Sequence, residues 1–175
     1  MKNNDRNIDN RQWTDIRFLP FVFAVMLFFG ACASVDCPLN NRVQAEYCFM
    51  KPDGITPDTL KDTFTVKALK WADDTLMFNS GVNLSSFKIP LSYEQPEDVL
   101  LICFTDTNKK EWRDTIWLQK ENHPHLESVD CQPKFFHTLT DVRATRNRIE
   151  RIAIINSTVE YESKNNIQIY LSRYY

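Results

Sequence analysis

From Arg42 to Leu171, apolar residues recur at every second position in short runs, and this period of two is what most limits the fold. Arg42 to Met50 sets Val43, Ala45, Tyr47 and Phe49 against Gln44, Glu46 and Cys48. Phe64, Val66 and Ala68 alternate in the same way with Thr63, Thr65 and Lys67. Asp74 to Asn79 reads as a third strand. Phe87, Ile89 and Leu91 read as a fourth, which Pro90 restricts to a sheet edge or a bulge because it has no N–H to donate. Val99 to Phe104 is apolar on both faces, the pattern of a central strand covered on both sides. Glu111–Gln119, Lys134–Leu139, Ile152–Ile155 and Asn166–Leu171 complete nine strands. Arg148 to Ile155 also fits a helical spacing, but β-branched isoleucines favour the strand. The expected architecture over 42–175 is all-β, a single antiparallel β-sandwich or partly open barrel.

Turns in this region must come from Asn, Asp, Pro and Ser, since Gly54 and Gly81 are its only glycines. Lys51-Pro52-Asp53-Gly54 is a turn with a mechanism: proline presets φ and glycine accepts a positive one. Asp106 to Lys110 is expected to be a polar hairpin loop.

Ahead of the strands, Lys2, Arg6, Arg11 and Arg17 precede an uncharged run from Phe18 to Phe29. As a helix that run rises only about 18 Å, too short for a hydrocarbon core of about 30 Å. With Gly30 and Ala31 at its end it reads as a secretory signal peptide. Phe29-Gly30-Ala31-Cys32 resembles the lipobox of bacterial lipoproteins, with Phe where Leu is usual. That resemblance implies a removed segment 1–31, a lipid-modified Cys32, and residues 32–41 as tether and spacer. Removing the leader's four basic and three acidic residues from totals of 21 and 23 leaves 17 and 20, formally −3. Such a balance speaks against nucleic acid as a partner. No acidic run follows Cys32, unlike surface-displayed lipoproteins of Bacteroidetes-type bacteria. The expected location is therefore the outer membrane, with the periplasmic face favoured.

Asp36-Cys37-Pro38, Ile89-Pro90-Leu91, Asp114-Thr115-Ile116, Val129-Asp130-Cys131, Ile152 to Asn156 and Asn166 to Tyr170, following a lipobox cysteine, resemble a family of small lipoproteins of Bacteroidales. The resemblance implies a cell-envelope β-domain with a cysteine pair near its two ends, and implies no chemistry.

With Cys32 acylated, four cysteines remain in an oxidising compartment, and three connectivities are open. Cys37 and Cys131 sit in polar, proline-containing loops and are the expected disulfide. Cys48 and Cys103 lie within strands, as a second bridge or as buried free thiols. His123, His125, Cys131 and His137 fall within a short span, but Pro124 interrupts them and Cys131 has its disulfide role, so no metal site is expected. Asp58-Thr59-Leu60, Asp74-Thr75-Leu76 and Asp114-Thr115-Ile116 resemble O-glycosylation acceptors of Bacteroidetes, and each equally suits a turn entering a strand. Adjacent carboxylates at Asp73-Asp74 and Glu97-Asp98 should point to opposite strand faces as solvated turn charges. No nucleophile elbow, zinc-binding helix motif or glycine-rich phosphate loop is present, so neither catalysis nor a cofactor is expected.

Trp112 and Trp117 are five residues apart and should face opposite sides of one strand, so one of them leaves the core. With Trp71, Tyr93, Tyr170, Tyr174 and Tyr175 it could form a platform for a glycan or a protein. The expected function is that of a lipid-anchored cell-envelope protein with a non-catalytic interaction or structural role and an envelope protein as partner. The alternative is a carbohydrate-binding envelope lipoprotein using exposed tryptophans, and an enzyme with an unrecognised site stands behind both.

Overall fold

The computed structural model describes Cys37 and residues 42–69, 75–162 and 164–172. The chain divides into residues 1–36 and a compact unit Cys37–Tyr175. The leader and Cys32 fall outside the described residues, as do Trp71, Asp73, Asp74, Tyr174 and Tyr175.

Ten strands and no helix occur among the described residues: β1 (Gln44–Met50), β2 (Thr63–Ala68), β3 (Thr75–Gly81), β4 (Ser86–Pro90), β5 (Glu97–Thr105), β6 (Glu111–His125), β7 (Lys134–Ala144), β8 (Ile149–Ile154), β9 (Thr158–Val159) and β10 (Ile167–Leu171). They form a four-stranded sheet in the order β4-β1-β10-β8 and a six-stranded sheet in the order β3-β2-β5-β6-β7-β9. Together they make an all-β sandwich in which one sheet curls into a half-barrel. All described pairings are antiparallel except β1 with β10, which run parallel with Tyr47 opposite Ile167. Strand periodicity carries no information about direction, so this pairing of the first and last strands emerges only in three dimensions.

The alternating residues fill the space between the sheets. Ala45, Tyr47 and Phe49 of β1 meet Leu100, Ile102 and Phe104 of β5 and Ile116 and Leu118 of β6 in one buried cluster. Phe64 lies within it, with ring centroids 4.6 Å from Phe87 and 5.5 Å from both Phe49 and Phe104. At about 25 cal/mol per Å² of buried apolar surface, aromatic side chains of this size supply the largest single contributions to the core.

Several details depart from the pattern. β6 runs six residues beyond Gln119, to His125, and β9 is a two-residue strand with no sequence signal. Pro124 does not break β6, because only β7 pairs with that end and the missing N–H faces an open side. Pro90 ends β4, which is an edge strand as expected. β5 is central, but its outer face at Leu101 and Cys103 is only half-covered. Gly54 takes φ +73° in the Lys51–Gly54 turn, closed by Gly54 N donating to Lys51 O at 2.9 Å.

Candidate functional site

At one end of the sandwich, where β1 begins, β4 ends and β7 begins, the sheets part around a cleft of about 890 Å³. Its walls are Arg42 to Gln44, Pro90, Leu91 and Tyr93, and Gln132 to Phe135 with His137. Tyr93 stacks on Phe135 with centroids 4.9 Å apart and planes 15° from parallel, joining two chain segments into one aromatic wall. Arg42 and Lys134 supply two cations, and among the described residues no carboxylate lines the cleft. Among the described residues neither cation pairs with a carboxylate.

Next to His137 the interior is polar. Beyond Gln119, β6 outruns β5 and takes the loop before β5 as its neighbour instead. Lys120 N donates to Pro96 O at 2.8 Å, and Lys120 Nζ donates to Gln95 O at 2.8 Å. The same ammonium lies 3.0 Å from Asp98 Oδ2, with the two side chains 0% and 8% exposed. Asp98 also accepts Ser92 N at 3.2 Å. Burial pushes the Asp98 carboxyl above its ordinary range, outweighing the pull of Lys120 and the Ser92 N–H. Tyr47 is fully buried and its hydroxyl has no hydrogen-bond partner; burial and the Asp98 charge both hold its proton on.

Asn122 settles the state of His137. Its Nδ2 donates to Tyr93 O at 2.9 Å and to Gln95 O at 3.2 Å, so its Oδ1 must be the atom 2.7 Å from His137 Nδ1. His137 therefore carries its proton on Nδ1 and keeps a lone pair on Nε2. Burial, then the charges of Lys120 and His123, lower its pKa to about 4. Asp98 is thus an interior group and not the solvated turn charge expected of it. Its neighbour Glu97 does face outward, 3.3 Å from Arg143 Nη2, as strand parity requires. The signal for Lys120 was parity: Asp114, Ile116, Leu118 and Lys120 form one inward series that continues past the expected end of β6.

The expected site residues are dispersed. Cys37 and Cys131 form a disulfide with Cα atoms 5.7 Å apart, and Cys131 immediately precedes the cleft wall. Cys48 and Cys103 are free. They sit on outward positions of different sheets, in register with Gln168 and with Thr65, so parity sends their thiols apart. Trp112 packs against the core beneath Arg148, with Lys110 Nζ 4.8 Å from its ring centroid. Trp117 lies on the opposite, outer face under the Arg143 guanidinium at 5.0 Å. Tyr170 is buried beneath Arg151. Among the described members of the expected aromatic platform, Tyr93 alone is at the cleft.

His123 bonds Thr138 Oγ1 at 3.1 Å on the outer face, His125 stacks on Phe136, and His137 points inward. Among the described residues no three His, Cys, Asp or Glu side chains converge as metal ligands. Thr59 is exposed in the β1–β2 loop, whereas Thr115 lies inside β6, paired with Leu101 of β5 and hydrogen-bonded through its backbone to Thr145. Asp114 is 1% exposed and clamps the β7–β8 connection. Its oxygens accept Thr145 Oγ1 at 2.6 Å and the amides of Asn147, Arg148 and Ile149 at 2.7–2.9 Å.

Residues 63–171 match the model of a family described as of unknown function (DUF6452). No curated protein and no solved structure matches the chain.

Proposed function

The chain belongs to the DUF6452 family of unknown function, and from that premise we propose a lipid-anchored cell-envelope protein with a non-catalytic binding role. Its anchor is an acylated Cys32 in the outer membrane, as in small lipoproteins of Bacteroidales, and its domain faces the periplasm. It engages another envelope component through the cleft at the mouth of the sandwich. The observation that carries this reading is the cleft itself: about 890 Å³, walled by Tyr93, Phe135, Leu91 and Val43 and edged by Arg42 and Lys134. That volume falls within the usual range of ligand sites.

The non-catalytic reading draws support from how the reactive groups are used. Asp98, Lys120 and Asp114 are held in internal ion pairs and hydrogen bonds, and Cys48 and Cys103 have thiols pushed upward by burial, away from the reactive thiolate. Cys37 stands five residues after Cys32, a reach of at most about 18 Å. An acyl anchor there would keep the cleft end of the domain near the bilayer. The carbohydrate reading through Trp112 and Trp117 is the weaker one, because a cation covers each ring.

The test is crosslinking and co-purification from native envelopes, with a photoreactive residue at Gln132 and a Cys32→Ser control. One component recovered in near-equal amount, and lost on Tyr93→Ala, is the expected result. Recovery unaffected by both substitutions would reject the anchor and the cleft together.

A further inference from the structure

We propose that the cleft receives a single-chain anionic amphiphile, an apolar chain ending in a carboxylate. The proposal rests on the binding role assigned to the cleft above and names the class of its ligand. Charge argues first. Arg42 and Lys134 line the cleft, and no carboxylate stands among its described lining residues. A cationic ligand would find no counter-charge, whereas a carboxylate would find two donors able to form charge-assisted bonds.

The walls argue for the chain. Val43 and Leu91 connect the cleft to the buried core, and Tyr93 and Phe135 add aromatic surface nearer its mouth. A neutral sugar recognised through its hydroxyls would favour carboxylate and amide acceptors. Here the side-chain acceptors among the described lining residues are the amides of Gln44 and Gln132, the Tyr93 hydroxyl and the Nε2 lone pair of His137, with no carboxylate. The Tyr93–Phe135 rings stack on each other and close that wall into an apolar side. Asn122 fixes the tautomer of His137 and burial keeps its ring neutral at neutral pH, so the imidazole does not draw the head group inward. The head would sit with the cations and the chain would run along the aromatic wall.

Titration calorimetry of the full chain carrying Cys32→Ser tests this, using sodium dodecanoate below its micelle concentration, dodecyltrimethylammonium at equal concentration, and phosphatidylglycerol vesicles. Saturable dodecanoate binding is expected, weakened about tenfold by Arg42→Gln with Lys134→Gln, since each lost charge-assisted bond weakens binding. Melting temperature should not move in that double variant, since neither side chain is buried. Tyr93→Ala should weaken binding several-fold. Equal binding of the cationic amphiphile, dodecanoate binding unchanged in the double variant, binding of vesicles alone, or no binding at all would each overturn the proposal. An envelope component still captured through the cleft by crosslinking would then leave the broader binding role standing, which separates the two failures.

Discussion

Replacing Lys120 by Met removes one partner of a buried ion pair and leaves the other in place. Lys120 Nζ is 3.0 Å from Asp98 Oδ2, and neither side chain is more than 8% exposed. In the variant the carboxylate keeps only the Ser92 amide, and Gln95 O loses the ammonium that donates to it. An uncompensated buried charge of this kind costs about 3–5 kcal/mol, a large share of the roughly 5–15 kcal/mol that holds a domain folded. The loss should depend on pH in a defined sense. Burial already raises the Asp98 pKa, and Lys120 is the first of the influences pulling it back, so the variant raises it further. A carboxyl with a raised folded pKa disfavours folding as pH rises from its unfolded value, about 3.9, through the folded one. Below that window the carboxyl is protonated in both states and the electrostatic part of the loss vanishes. Urea unfolding at pH 7 and near pH 4 reads both effects. Adding Asp98→Leu should recover most of the loss at pH 7, because an apolar pair replaces the ions. A Lys120→Met variant within 1 kcal/mol of wild type at pH 7 would refute the reasoning, as would a loss that grows toward low pH.

The Cys37–Cys131 bridge closes a span of 94 residues, so Cys131→Ser should lower stability by about 4–5 kcal/mol in the chain-entropy model, read by urea unfolding with and without reductant. His137, with its pKa lowered to about 4, is neutral in the fold but charges in the unfolded chain as pH falls below about 6.5. Stability should therefore fall between about pH 6.5 and 4, by about 2 kcal/mol at pH 5 from this residue, and His137→Gln should abolish that slope in a pH series of melts. Asp114→Ala strips a carboxylate from three backbone amides and the Thr145 hydroxyl. It should cost about 3–5 kcal/mol, with early hydrogen exchange in the β7–β8 connection as the local signature.

Periodicity alone determined the all-β class, most strand positions and their inward faces. Val43, Ala45, Tyr47 and Phe49 lie on one side of their segment because a pleated strand alternates its side chains, whatever it pairs with. The same parity rule put Trp112 and Trp117 on opposite faces, and the missing N–H of Pro90 put its strand at an edge. The tertiary structure decided everything that depends on which strands become neighbours. The parallel β1–β10 pair, the separation of Cys48 from Cys103 onto different sheets, and the two-residue β9 all follow from long-range pairing that local pattern does not encode.

The cleft and its polar floor belong to that second class. Arg42, Tyr93, Lys134 and His137 come from three distant segments. Asp98 reads as a surface charge by itself, because the energy that makes a buried ion tolerable is supplied by Lys120, 22 positions away. A sequence carries the alternation that makes a sandwich. Which charges that sandwich encloses, and where its mouth opens, is set only when the sheets close on each other.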